Sequence, residues 1–416
     1  MTSESSLPLV ESQGTPPPLK VSDEHFITLI ELRRDLHTNP ELGYQERRTA
    51  WKVADRLRTA GLEVTTGVTK TGVIAVLEGG LPGSTIGYRA DMDALPMSEQ
   101  NDVPYCSTES GVMHACGHDV HTTIGVGIAE LLAKHREVLA GRFVFVFQPN
   151  EEGAPGDELS GGYAMVEDGV LERWPLDAIL ALHCMPTLDV GKIGHTTHAV
   201  WASSDRFEAR FKGVQTHGAY PHLGAEPIGA AAELVLAAHR VGHRNIDAQL
   251  PVVVSVCQIH AGNQFNVIPE EAWVEGIIRA LDEPTRLAAI DALEKAARGV
   301  AAANGLQLEL RVEQGAHPTE NAPALLAEVL EILQGHLPAG DLVNIPSQMG
   351  AEDFAAFSLV MPAVYLLLGV RNEGRGFNHM LHSPHFDADE RSIRIGVEAM
   401  SVTLRQLAAR QRALDL

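Results

Sequence analysis

Residues 114–123 read "HACGHDVHTT", which puts three histidines, a cysteine and an aspartate within eight positions of a chain that has four cysteines in all. Cys116 and His118 stand one residue apart, so a turn can aim a thiolate and an imidazole at one cation, a donor pair that suits zinc and other borderline divalent metals. The competing chemistry is a Cys116 nucleophile with His114 or His118 as its base. Other reactive side chains follow apolar runs: Asp91 and Asp93 in "DMD", Asn150, Glu151 and Glu152 in "NEEG", and His183 after "AILAL". Adjacent side chains on a strand point to opposite faces, so Glu151 and Glu152 can serve one site only from a loop beyond the strand. There one carboxylate can bind a metal while its neighbour handles a proton. His183 and one of His379, His382 or His385 in "NHMLHSPHF" could complete a pair of ions that activates a water and polarises a carbonyl. A cysteine nucleophile leaves Glu151, Glu152, His183 and His382 without a role, so the metal reading is preferred. The remaining histidines singled out, His37, His135, His239, His243, His260, His317 and His336, are expected to be ordinary polar surface. Cys106, Cys184 and Cys257 are expected to be small core residues or bystanders.

The elements that would position these residues follow from periodicity. "FITLIELRRDLHTNPE" has helical spacing and is stopped by Pro40; "RRTAWKVADRLRTAGLEV" gives a second helix ending at Gly61. The runs "GVIAVLEGG", "STIGYRADMDALP", "RFVFVFQP", "DAILALHCMP" and "PAVYLLLG" read as near-continuous apolar strands of a sheet covered on both faces. A helix from about Val120 to Leu139 lies between two of them, which indicates an α/β layer architecture. Each reactive cluster then sits at the carboxyl end of such a strand, where open α/β sheets bind ligands. Residues 200–313 have a different pattern. "RFEARFKG" and "LQLELRVEQ" alternate apolar and polar residues, and the order βαββαβ is that of a ferredoxin-like module. We read residues 198–314 as a small α+β unit inserted into a discontinuous domain, 21–197 and 315–416, preceded by a mobile Ser/Pro-rich tail at 1–20.

Composition narrows the function classes. At 416 residues the chain exceeds one ordinary core, so two domains are expected. A net charge of −22 argues against nucleic acid and anionic membrane as partners. An anionic substrate would have to be met by a few placed cations. The first 20 residues lack a basic segment followed by an apolar one, and no stretch approaches 18 apolar residues, so a reduced, cytoplasmic setting is expected.

Eight segments occur in one order: "RRDLHTNPELGYQE", "YRADMDALPM", "HACGHDVHTT", "FQPNEEG", "GVQTHGAYPHLGAEPI", "NVIPE", "MGAEDF" and "LHSPHF". Over about residues 25–410 the chain resembles the dinuclear-metal amidohydrolases of the aminoacylase/carboxypeptidase family. The subgroup is that of hippurate hydrolases, auxin-conjugate hydrolases and N-acetyldiaminopimelate deacetylases. The resemblance implies a three-layer mixed-sheet catalytic domain with the inserted unit as lid and dimerisation domain. It implies Cys116, His118, Glu152, His183 and His382 as ligands of two divalent ions, zinc or manganese with cobalt or nickel admitted, and Glu151 as general base. His217 would help hold the oxyanion, often from the partner subunit of a homodimer or larger homo-oligomer. Asn266 and Arg279 would contact substrate, with Arg279 on an α-carboxylate. The implied reaction is hydrolysis of an N-acyl amino acid to a carboxylic acid and a free amino acid. The alternatives are a metallo-dipeptidase or carboxypeptidase, and a non-catalytic binder of acylated amino acids. Two features depart from the family pattern: "RADMD" has no histidine where the wider family has one, and the Gly-rich run at 153–162 is longer than usual.

Overall fold

The computed structural model describes residues 19–153 and 159–410. The tail expected at 1–20 lies outside the described residues except for Leu19 and Lys20. Leu19 is buried in the main core, and Lys20 Nζ is 2.7 Å from Glu398 Oε2, so these two residues pack on the fold. Half of the Gly-rich run at 153–162, residues 154–158, also lies outside them.

An eight-stranded mixed sheet forms the centre. Its members, in chain order, are β1 (Glu63–Val68), β2 (Gly72–Glu78), β3 (Leu81–Asp91), β4 (Ala140–Gln148), β5 (Ala178–Asp189), β6 (Ile193–His195), and two later strands, Leu342–Asn344 and Ala363–Arg371. The spatial order is β1-β2-β4-β3-β5, then Ala363–Arg371, β6 and Leu342–Asn344. Four neighbours at the middle, β4, β3, β5 and Ala363–Arg371, run parallel. The apolar runs are continuous because alternate residues feed two cores. Phe143, Phe145 and Phe147 of β4 pack against one helical layer, while Val144 and Val146 pack against the other. The first layer consists of α1 (Asp23–Thr38), α2 (Arg47–Thr59), α3 (His118–Ala133) and the helices Pro323–His336 and Arg391–Ala409. Each such phenylalanine contributes about 1.5–3 kcal/mol by leaving water.

The mixed α/β class with an inserted ferredoxin-like unit is thus the architecture observed. In the insertion, Asp205–Lys212 pairs with Glu271–Ala280 and Gln307–Gln314, and Val252–Ala261 forms the outer edge; every pairing is antiparallel. Phe207, Ala209 and Phe211 face the helices Pro227–Arg244 and Glu283–Ala303 in a separate core. Arg206, Arg210 and Lys212 face outward and pair with Glu275, Glu271 and Glu309 across the sheet. One element differs from expectation: α3 starts at His118 and stops at Ala133, and Arg136–Val138 forms a separate 3₁₀ turn. The early start follows from Gly117, whose left-handed φ of 91° breaks the chain direction at the helix entrance. No described helix is long and apolar enough to cross a membrane.

Candidate metal centre

The carboxyl ends of the parallel strands deliver the reactive residues to one place. Asp91 ends β3 beside Gln148 at the end of β4, and His183 lies within β5 opposite Leu367. Gly117 turns the chain between Cys116 and His118. A Cβ on it would stand 2.9 Å from Cys184 Sγ, so both backbone angle and space exclude a side chain. After β4 the loop turns at Asn150, a non-glycine residue at φ 52°, and His382 is likewise left-handed at φ 61°. Such conformations persist only where the surroundings enforce them.

The resulting geometry is close. Cys116 Sγ is 3.5 Å from His183 Nε2, and His382 Nε2 is 3.2 Å from Glu152 Oε1. His118 Nε2 lies 3.9 Å from both Glu151 Oε2 and Glu152 Oε1. Two triads share the thiol: Cys116, His118 and His183 form one, and Cys116, Glu152 and His382 the other, each with ligand atoms within 4.8 Å of one another. His118 Nδ1 lies 3.2 Å from Asp93 Oδ1, and His183 Nδ1 donates to the Cys184 carbonyl at 2.8 Å, so in both rings Nε2 is the nitrogen left for a ligand. His118 Nε2 and Glu152 Oε1 are buried without a hydrogen-bond partner among the described residues. An orphaned buried polar atom ordinarily costs about 1–3 kcal/mol, and a cation would satisfy both. This donor set therefore fits divalent metal.

The electrostatics agree. Burial, then the charges of Glu352, Glu152 and Asp353, hold the Glu151 carboxyl well above the usual carboxylate range. Burial and the nearby Glu152 and Glu151 push the Cys116 thiol well up. Burial alone would lower His118, but Asp91 and Asp93 outweigh it and raise the ring to about 10. Burial and His121 hold His183 well below its ordinary value. A bound cation reverses the first three tendencies, since it replaces the proton as counter-charge to the acidic groups.

Four of the five residues expected as ligands, Cys116, Glu152, His183 and His382, line one cavity of about 910 Å³ together with Glu151. His118 is fully buried behind them, its Nε2 3.9 Å from the carboxylates of Glu151 and Glu152. Arg279 lines it too, with Nη1 3.3 Å from the Ser203 carbonyl oxygen, and burial lowers its pKa. His217 and Asn266 do not line it. They meet on the lid, where the ribbon Thr216–His217 pairs with Val267–Ile268 and the Gly218 amide donates to the Asn266 carbonyl. Both are exposed.

Several supporting residues were not assigned from sequence. Asp93 reaches His118 with one oxygen and accepts the Glu152 amide with the other at 2.9 Å. His121 bridges Asp91 Oδ1 at 2.6 Å and the Cys184 amide at 2.8 Å, which fixes the backbone beside His183. Arg89, buried, gathers Asp91, Glu352 and Asp353 within 2.9 Å. The segments "DMD" and "MGAEDF" were the available signals. Four histidines depart from the surface expectation, two of them held in polar networks. His37 is fully buried, because Asp119 and Glu99 engage its two ring nitrogens beside Arg33. His317 is half-buried on the cavity wall, with Nδ1 2.9 Å from Arg286 Nη1 and its amide donating to Tyr163 Oη. His239, His243 and His260 are exposed, while His135 and His336 are half-buried. All four cysteines are free: Cys184 is buried, Cys257 exposed and Cys106 between them.

Comparison with known proteins gives a consistent picture. Residues 87–406 match the sequence family described as Peptidase family M20/M25/M40. "Thermostable carboxypeptidase 2" of Saccharolobus solfataricus is 36% identical over 373 residues, covering 89% of this chain and 93% of that protein. "N-acetyldiaminopimelate deacetylase" of Streptococcus pneumoniae is 35% identical over 388 residues, 92% of this chain and 100% of that protein. The crystal structure of a Bacillus subtilis protein, described as a dinuclear metal binding peptidase from the M20 family, superposes with a TM-score of 0.80 at 32% identity. It covers 93% of this chain and 99% of that one.

Proposed function

Because the chain belongs to peptidase family M20/M25/M40 and is a metal-dependent, amide-cleaving hydrolase, we propose that its substrates are N-acyl amino acids, split to a carboxylic acid and a free amino acid. The observation that carries this reading is the pair of triads sharing Cys116, with Glu151 beside them and Arg279 across the same cavity. Cys116, His118, Glu152, His183 and His382 would hold two divalent ions, zinc or manganese, with cobalt and nickel compatible with a mixed N/O/S set. Bound there, such ions supply Lewis acidity toward a water and the amide carbonyl. Glu151 removes a proton from the attacking water and returns one to the leaving nitrogen. Arg279 pairs with the substrate carboxylate, a charge-assisted contact inside an otherwise acidic protein.

His217 and Asn266, remote from the cavity in one chain, are assigned to the cavity of a partner subunit, where His217 donates to the oxyanion. A homodimer through the lid would also cover the open edge of Val252–Ala261 and the exposed Ile259 and Phe265. We accordingly take 198–314 as the lid and dimerisation unit and 21–197 with 315–416 as the catalytic unit. The four free cysteines support a reduced, cytoplasmic setting.

The test is product release from acetyl, benzoyl, indolyl-acyl and long-chain acyl amino acids, each with zinc, manganese, cobalt or nickel. Glu151→Gln should lower kcat by about 10²–10⁴-fold while metal content stays at the wild-type level. A variant that kept most of its activity would remove Glu151 from this role. The carboxypeptidase relative favours a second reading, cleavage of peptides with a free carboxyl terminus. Dipeptides in the same panel distinguish it: faster turnover of dipeptides than of every N-acyl amino acid would replace the first reading.

A further inference from the structure

The segment "RRDLHTNPELGYQE" at 33–46 has no part in the chemistry above, yet its last residues pack against the loop that carries the two glutamates. Glu46 is fully buried. Its Oε1 accepts the Asn150 amide at 2.8 Å, and its Oε2 accepts the Thr71 hydroxyl at 2.5 Å. Asn150 is the residue at φ 52°. On its other side is Gly43, where an added Cβ would stand 2.0 Å from Asn150 Oδ1. Two residues on, the Glu152 amide is held by Asp93 Oδ2 at 2.9 Å. The backbone is therefore pinned by a carboxylate on each side of Glu151. This resolves the geometric difficulty of two adjacent glutamates in one cavity: the chain leaves strand geometry at Asn150, and both side chains then line the same space.

We propose that Glu46 is a positioning residue for amide hydrolysis: by accepting the Asn150 amide it holds the left-handed turn that presents Glu151 to the reacting water. The proposal rests on the reading of Glu151 as the base. What the loop requires is a buried acceptor at Oε1, not a negative charge. A glutamine supplies that acceptor, and the Thr71 hydroxyl can reverse to accept from the new amide. An alanine leaves the Asn150 amide without a partner and frees the turn.

The experiment uses the full-length, metal-loaded enzyme with N-benzoylglycine, N-acetylmethionine and glycyl-leucine as probes. For Glu46→Ala we expect kcat to fall about 10- to 100-fold, the scale of a misplaced reacting group, with KM and metal stoichiometry close to wild type. Glu46→Gln should recover most of kcat. An unchanged kcat in Glu46→Ala overturns the proposal, as does a loss confined to KM or metal content. A Glu46→Gln variant as impaired as Glu46→Ala also overturns it, because charge rather than the acceptor would then matter. Should Glu46→Ala not fold, the loop can be approached from its other side. Gly43→Ala should lower kcat, and adding Asn150→Gly, which deletes the struck atom and accepts the positive φ, should restore it; no restoration counts against the idea. The two readings fail separately. Full activity in Glu151→Gln removes the base, whereas full activity in Glu46→Ala with Glu151→Gln inactive removes only the positioning role.

Discussion

At the scale of single residues, the site is arranged by carboxylates that hold its loops and rings from behind. Asp93 orients the His118 ring and pins the Glu152 amide, so one side chain serves two proposed ligands. Asp93→Ala should weaken metal binding about 10- to 100-fold, as read by competition with a chelator; wild-type affinity would show that the ligands orient themselves. Glu46 makes a prediction about pH. Burial, and secondly the charge of Asp93, push its carboxyl from 4.5 up to about 7. Between those values the folded molecule holds a proton that the unfolded chain has released. The associated stability is complete below about 4.5 and is lost as pH rises through about 7. Glu46→Gln, which cannot ionise, should flatten that part of the curve of melting temperature against pH; an unaltered slope would place its origin elsewhere. The spacing of Cys116 and His118 was legible in the sequence because both lie in one turn. The double duty of Asp93 was not, since it depends on a contact 59 residues away in the chain. Nor was the burial of His37, whose partners Glu99 and Asp119 come from segments with no periodic relation to it.

At the scale of elements, strands and helices announced themselves by periodicity, and their junctions did not. Four of the five near-continuous apolar runs became the parallel strands, the fifth became β2, which pairs antiparallel on both sides, and the alternating runs became strands of the lid sheet, because two-sided and one-sided burial leave different patterns. The start of α3 at His118 required knowing that Gly117 is left-handed and faces Cys184, a tertiary fact. Gly117→Ala should destabilise the protein by about 1–3 kcal/mol through backbone strain, with the collision at Cys184 added to it, measured by denaturant unfolding. A loss below a few tenths would mean the turn relaxes freely. The helix α1 is joined to the two segments that carry the proposed ligands His118 and His382 by Arg33, which is 2.8 Å from Asp119 Oδ2 and 2.6 Å from Asp387 Oδ1. Arg33→Met would take the buried cation from both carboxylates, leaving Asp119 with His37 and Asp387 with the Tyr105 hydroxyl; denaturant unfolding should show a loss of up to about 3–5 kcal/mol.

At the scale of the whole molecule, the lid is anchored where the chain enters and leaves it. The buried Arg286 of the lid helix Glu283–Ala303 is 2.6 Å from Asp205 Oδ1 at the entrance and 2.9 Å from His317 Nδ1 at the exit, and the His317 amide donates to Tyr163 of the catalytic layers. His217 and Asn266 nevertheless stay outside the cavity that Arg279 lines. If His217 acts across a dimer, mixing Glu151→Gln with His217→Ala should restore up to about a quarter of wild-type activity, since half the dimers are mixed and each of those has one intact site. Two inactive variants that remain inactive when mixed would place His217 in its own subunit's reaction or outside it.

The order of the strands also sets a timetable for the growing chain. β5 leaves the ribosome long before Ala363–Arg371, the parallel strand that will cover its flank, and the whole of the lid is made in the interval. The pairings of the lid sheet all close within residues 205–314 and can form once that stretch is made, whereas the pairing of β5 with Ala363–Arg371 must wait. A chain halted after the lid would therefore display a row of buried-type residues along an unpaired strand, the kind of surface that seeds aggregation. It would also lack His382, so the proposed second ion could be taken up only by a finished polypeptide.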